Sequence, residues 1–315
     1  MIRKSGVFDV GAPGAADLGA YGGRAIHGSL LVVGDPDDTA CGPLHLAELL
    51  ARRYRIRAHV LGVVRPIGLP IWEHINVDPE VLEDARRRQY LERLRQHVHR
   101  TVGRSVHFSV DVVTGSPAPS FAAAARAGGA AYILVAVADH GTARRSATED
   151  AALQLAHTAD VPTVVVASDY AGLPKHALVA VDFSLASTRA AYAALALLAP
   201  GAKVRLAHVE PDAELRAMGE DDWTERYERG VASLFGGLVA GLGSSGDVTV
   251  GTVLLHGDPA PALLSHAAHA GCDLIATGTH SLPASGQRRT GSVSAALLRG
   301  ARTTVLLAPP GESPA

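Results

Sequence analysis

The chain repeats itself, and that feature limits its fold more than any other. Val113-Thr114-Gly115-Ser116-Pro117-Ala118-Pro119 returns as Leu255-His256-Gly257-Asp258-Pro259-Ala260-Pro261, an offset of 142 residues taken from Gly115 to Gly257. The same offset carries Pro162-Thr163-Val164-Val165 onto Thr304-Val305-Leu306-Leu307. Near the start of each half an apolar run ends in Asp: Leu30-Leu31-Val32-Val33-Gly34-Asp35 and Leu178-Val179-Ala180-Val181-Asp182. That pair is 147 apart, so the first copy carries a few extra residues, which we place in its Pro66-Ile67-Gly68-Leu69-Pro70 region. A period this long means duplicated domains rather than a solenoid.

Within each half, apolar runs alternate with longer amphipathic stretches. The runs fall near 29–34, 57–64, 107–113, 131–138 and 161–167, then near 177–182, 203–209, 247–255, 272–278 and 303–308. They are continuous in Val, Ile, Leu and Ala, as strands buried on both faces are. Pro79–Gly103 and Trp223–Leu242 read as helices, the first with Glu83, Asp84, Arg86, Arg87 and Arg88 set among spaced leucines. Strand–helix alternation predicts an α/β fold: two tandem doubly wound domains, each on a five-stranded parallel sheet. The expected layout is an N-terminal Gly/Ala-rich arm over 1–25, a first domain over 26–168, a linker over 169–175 and a second domain over 176–310.

Composition narrows the function classes. With 47% hydrophobic and 19% charged residues the chain can bury a core, and a net charge of -2 gives no electrostatic reason to bind nucleic acid. Cys41 and Cys272 are the only cysteines, too far apart for a zinc motif or a disulfide framework, so a reducing cytoplasm is the expected setting. The run from Ala130 to Ala138 falls well short of the ~20 residues of a membrane span, and no signal-peptide core follows Ile2-Arg3-Lys4. Of fifteen histidines, His97 and His99 do not share a helix face. His266 and His269 do, but no carboxylate or cysteine stands at ligand spacing, which favours a solvated or packed role over a metal.

In an open parallel sheet, ligands bind beyond the carboxyl ends of the strands. In the second half these ends read Val181-Asp182-Phe183-Ser184 and Thr277-Gly278-Thr279-His280-Ser281, and Gly291-Ser292-Val293 opens the last helix. Gly278 lets backbone pass close to a ligand, and the unpaired N–H groups at a helix start favour phosphate. Ser292 adds a hydroxyl, which is equally an N-cap. Asp182 can accept from ribose hydroxyls or be structural. His280 lies within phosphate reach, and Arg288 and Arg289 are either phosphate clamps or solvated loop charges.

These residues resemble the universal stress protein (UspA) family. Its ATP-binding members carry Gly-x-x-Gly, nine residues, then Gly-Ser/Thr; this chain has Gly278-Thr279-His280-Ser281, nine residues, then Gly291-Ser292. Val181-Asp182 matches the family's first strand end, His208-Val209 its second, and Gly257-Asp258-Pro259 the Gly-x-Pro before its third helix. Ser281 departs from the motif, which has a second glycine there. The resemblance implies adenine nucleotide alpha hydrolase-like domains and a cytoplasmic ATP-binding regulatory protein of the stress response, with ATP bound with or without Mg2+. The implied contacts are Val181, Asp182, Phe183, Ser184, Val209, Thr277, Gly278, Thr279, His280, Ser281, Gly291, Ser292 and Val293. It also implies pairing of the two domains through Val161–Val166 and Thr303–Leu307, a possible homodimer, and an unknown regulatory protein partner.

The first copy lacks the cradle. Glu149 and Asp150 stand where the offset puts Gly291 and Ser292, and Ser146-Ala147-Thr148-Glu149 reads as a capping box. One nucleotide site per chain is therefore expected, in the second copy. Two other readings stay open: a slow ATPase or nucleotide-transferring enzyme, and an interaction protein that binds no nucleotide. Against an enzyme, the chain has no Gly-x-x-x-x-Gly-Lys-Ser/Thr, His-x-Gly-His, Ser-Gly-Gly-x-Asp or Gly-x-Gly-x-x-Gly.

Overall fold

A computed structural model describes residues 26–37, 40–66, 79–102, 106–137, 143–167, 170, 172–210, 223–243, 247–279 and 292–310; of 79, 143–149, 223–224 and 292 only the backbone is described. The first half runs β1 (Ser29–Gly34), α1 (Gly42–Tyr54), β2 (Ala58–Val64), α2 (Pro79–Val102), β3 (Phe108–Thr114), α3 (Pro117–Ala127), β4 (Ala130–Ala136), α4 (Ala143–Thr158) and β5 (Thr163–Val166). The second repeats it: β6 (His176–Ala180), α5 (Leu185–Leu197), β7 (Lys203–Glu210), α6 (Trp223–Leu242), β8 (Thr249–His256), α7 (Pro259–His269), β9 (Leu274–Gly278), α8 (Ser292–Gly300) and β10 (Thr304–Ala308).

Among the described residues ten strands form one sheet in the order β3-β2-β1-β4-β5-β10-β9-β6-β7-β8. Each half is parallel throughout. The halves meet where β5 and β10 pair antiparallel, Val165 opposite Val305 and Val164 opposite Leu306. Every residue of β4, β5, β9 and β10 is buried, because helices cover both faces there. Outer strand β3 is buried only at Val112, since one of its sides meets solvent. Pro117 and Pro259 start α3 and α7 in the first turn, where proline's missing N–H costs nothing and its φ suits a helix.

Across the junction, first-half side chains reach the carbonyls of α5. The buried Tyr132 hydroxyl donates to Ala193 O at 2.9 Å, Tyr54 donates to Ala196 O at 2.6 Å, and Arg53 donates to Leu198 O. Alanine at 186, 190, 191, 193, 194 and 196 keeps α5 thin enough to be buried nearly all round. On the opposite face Arg299 of α8 meets Asp150 of α4 at 3.3 Å, an exposed pair worth little by itself. Among the described residues no helix is long and apolar enough to cross a membrane.

Two expectations are corrected. From the helix starts Pro79 and Trp223 to the ends Val102 and Leu242, the offset falls from 144 to 140. Much of the first half's surplus therefore sits in α2, with 24 residues against 20 in α6. Two further surplus residues do fall between β2 and α2, where 66–70 lies, since the offset drops from 146 at Val64 and Glu210 to 144 at Pro79 and Trp223. The capping box at Ser146 is also displaced: α4 starts at Ala143, so Ser146 lies in the first turn and Asp150 two turns in. Ala143, Arg144 and Arg145 are good helix formers and carry the helix back past Ser146.

Tyr170, between the halves, buries its hydroxyl with no hydrogen-bond partner among the described residues. Burial first, then Asp273, raises its pKa, and burial with Asp35 and Asp37 raises that of Tyr90. A tyrosine raised in the folded state favours folding below its unfolded pKa of about 10, and that contribution is lost as pH rises further. Tyr170→Phe is expected to keep or raise stability at neutral pH by up to about 1 kcal/mol, since it removes an unsatisfied buried group. It should also soften the loss of stability above about pH 10. Denaturant melts at both pH values measure this, and a loss above 1 kcal/mol at neutral pH would refute the reading.

Candidate functional site

The chain leaves β6 through a tightly bonded turn. Val181 N donates to Ala207 O at 2.8 Å, and Asp182 Oδ1 accepts from Ser184 N at 3.0 Å. Ser184 caps α5, its Oγ accepting from Ser187 N at 3.2 Å. Between them Phe183 takes φ +62°, a left-handed conformation costly for a bulky side chain and typical of sites whose surroundings over-determine the backbone. The surroundings here are aromatic. Its ring lies 5.0 Å from that of His208 and meets Phe235 edge-on at 5.2 Å.

His208 ties the second strand end to this turn. Its Nδ1 lies 2.7 Å from Val181 O and its Nε2 2.9 Å from the Tyr227 hydroxyl. The Nδ1–H tautomer satisfies both contacts, donating to the carbonyl and accepting from the phenol. Burial, then Glu210, raises the Tyr227 pKa and keeps that phenol a donor. Glu210 is buried and accepts from His256 Nδ1 at 2.8 Å.

The third wall comes from β9 and α8. A Cβ on Gly278 would lie 2.6 Å from the Ala186 carbonyl carbon and 2.7 Å from Ser187 N, so only glycine lets β9 pass the start of α5. Buried Ser294 donates from Oγ to Gly278 O at 2.8 Å, fastening α8 to the strand end. Thr279 turns inward, with Oγ1 donating to Ala308 O at 3.1 Å.

Together these elements enclose a cleft of about 180 Å³. Of the residues marked in the sequence, Val181, Asp182, Val209, Thr277, Gly278 and Val293 line it. Phe183, Ser184 and Thr279 stand nearby, their side chains engaged in the aromatic cluster, the α5 cap and the Ala308 bond. Ser292 opens α8 by its backbone, at the carboxyl end of β9. His280, Ser281 and Gly291, with Arg288 and Arg289, lie outside the described residues. Sequence reasoning left Ser187, Ala207, His208, Pro259, Leu263 and Ser294 out of the contact set, though they line the cleft too. Leu263 was within reach of pattern analysis, one helical turn after the Pro259 that starts α7.

In the first half, Asp35 makes the same kind of turn, accepting from Asp37 N at 2.9 Å. A cavity beside it measures about 20 Å³, room for little more than a water, with Leu44, Leu94 and Val98 in its walls. Where the 142-residue offset would start a helix at position 150, α4 has already run since Ala143.

The universal stress protein family matches residues 174–309, the stretch that builds this cleft. This second half is a universal stress protein domain. The doubled arrangement has solved counterparts. A universal stress protein from Archaeoglobus fulgidus DSM 4304 is similar over 90% of this chain and 97% of its own, at 18% identity and a TM-score of 0.62. A functionally unknown protein from Pseudomonas aeruginosa PAO1 is similar over 93% and 95%, at 17% identity and a TM-score of 0.55. A putative universal stress protein from Pseudomonas aeruginosa UCBPP-PA14 is similar over 89% and 92%, at 15% identity and a TM-score of 0.54. Identities this low speak for the fold alone, which these structures share over both halves. No curated protein matches the chain.

Proposed function

We propose that the chain binds one adenine nucleotide, ATP, in its second half and acts as a cytoplasmic regulatory protein of the stress response. The observation that carries this reading is the cleft itself. It lies where the carboxyl ends of β6, β7 and β9 face the first residues of α7 and α8, the place where an open α/β sheet receives ligands. Val209, Leu263 and Val293 supply apolar surface for a base, and Asp182 is the one carboxylate lining the cleft among the described residues, suited to ribose hydroxyls. The N-terminus of α8 supplies N–H groups and a dipole for phosphate. Such a set fits a nucleotide. Among the described residues no group of three or more His, Cys, Asp or Glu could hold a metal ion, so a Mg2+ would arrive on the phosphates themselves.

Titration calorimetry with ATP is expected to give one site per chain. Gly291→Asp, which sets a carboxylate beside the phosphate position, should weaken binding at least about tenfold, like charges in contact costing several kcal/mol. Two equivalent sites, or undiminished binding by Gly291→Asp, would sink the assignment.

A further inference from the structure

At the other end of the same sheet face the second half carries a second pocket, of about 340 Å³. Lys203, Arg205 and His176 line it with Thr249, Gly251 and Cys272. The strand register explains the grouping. Lys203 pairs with Thr249 and with His176, and Arg205 pairs with Gly251, so these side chains share one face of the sheet. Ala207 and Val209 continue that face into the cleft described above, four residues or about 13 Å from Arg205 to Val209.

We infer that this pocket binds a compact phosphate-type oxyanion, inorganic or the end of a larger molecule, held by Arg205 and Lys203. The charge accounting points there. Among the described residues neither Arg205 nor Lys203 makes an ion pair or a side-chain hydrogen bond. The nearby carboxylate, Asp273, is committed elsewhere: it accepts from the backbone N–H of Lys175 at 2.8 Å and of His176 at 3.0 Å. On α7, His266 buries its Nε2 with no hydrogen-bond partner among the described residues, and burial first, then Arg205 and His269, lowers its pKa. Arg205 and Lys203 thus stand on a pocket whose lining, among the described residues, includes no carboxylate, with Asp273 beside Cys272 at its edge. A guanidinium presents a planar fork of donors that suits phosphate oxygens, and the Thr249 hydroxyl and Lys203 ammonium add donors on the same face. Gly251 leaves the floor open, because a Cβ there would meet nothing within 4 Å.

That open floor provides a steric test beside the electrostatic one. The full chain is titrated with inorganic pyrophosphate, as wild type, Arg205→Gln, Gly251→Leu and Gly291→Asp, with circular dichroism confirming that each is folded. One saturable event is expected in the wild type and in Gly291→Asp. It should weaken at least about tenfold in Arg205→Gln, which loses a charge-assisted contact, and vanish in Gly251→Leu, whose side chain fills the pocket. Binding that survives undiminished in either of these two variants, or no saturable binding by the wild type, overturns the inference. The nucleotide assignment fails separately, through loss of ATP binding rather than of pyrophosphate.

Discussion

Gly278→Ala is expected to destabilise the fold by about 3 kcal/mol with no ligand present, at the upper end of the overpacking range. The added Cβ would meet the Ala186 carbonyl carbon at 2.6 Å, the Ala186 Cβ at 2.7 Å and Ser187 N at 2.7 Å. Two of the three obstacles are backbone, so trimming Ala186 to glycine in a double variant should recover little. Nor can α5 retreat freely, because Ala190 and Ala194 are fully buried and its carbonyls hold Tyr132 and Tyr54. Chemical denaturation of the ligand-free protein measures the effect. A glycine kept only for phosphate approach would lose nucleotide affinity at unchanged stability, and that outcome would contradict the packing role. Loss of both is expected, since the strand end that meets α5 also lines the cleft.

Much of this architecture is legible in the chain because its signals are local. Continuous runs such as Tyr132-Ile133-Leu134-Val135 lack a solvent-facing alternation, and they lie in a strand buried on both faces. The helix expected from Trp223 to Leu242 has those limits, its apolar face spaced at helical period. The cleft was legible where a residue type implies backbone behaviour, Gly278 at a strand end and Asp182 after one, and where the resemblance marked a position, as at Val209 and Val293. Residues whose role depends on distant partners were not. Phe183 gives no sign of a left-handed backbone, since that conformation is maintained by His208 and Phe235. Ser294 looks like an ordinary helix residue until Gly278 O comes within 2.8 Å. Gly278, read as a ligand glycine, lines the cleft and has a packing role as well, since the nearest atoms to its missing Cβ belong to α5. The packing reason depends on an approach between elements nearly a hundred residues apart, and no local pattern records it.

Val305→Pro is expected to cost about 3 kcal/mol or more and to expose sticky edges, because β10 is a central strand. Val305 has Val165 of β5 on one side and Ile275 of β9 on the other, so its N–H faces a paired strand whichever way it points. Proline removes that donor, leaves a buried carbonyl opposite without it, and pushes its ring into a sheet interior where Val305 is 1% exposed. The damage falls on the antiparallel seam between the halves. Once it loosens, β5 and β10 present apolar edges with unpaired backbone groups, and association through them should follow. Thr114→Pro is the matching control. Gly115 N donates to Val64 O, so by strand parity the Thr114 N–H faces outward from edge strand β3, where proline removes no ladder bond. Melting curves and small-angle scattering of the two variants should therefore diverge, Thr114→Pro staying compact and monodisperse while Val305→Pro melts early or associates. Equal and small effects from both would mean that the β5–β10 seam does not hold the halves together in solution.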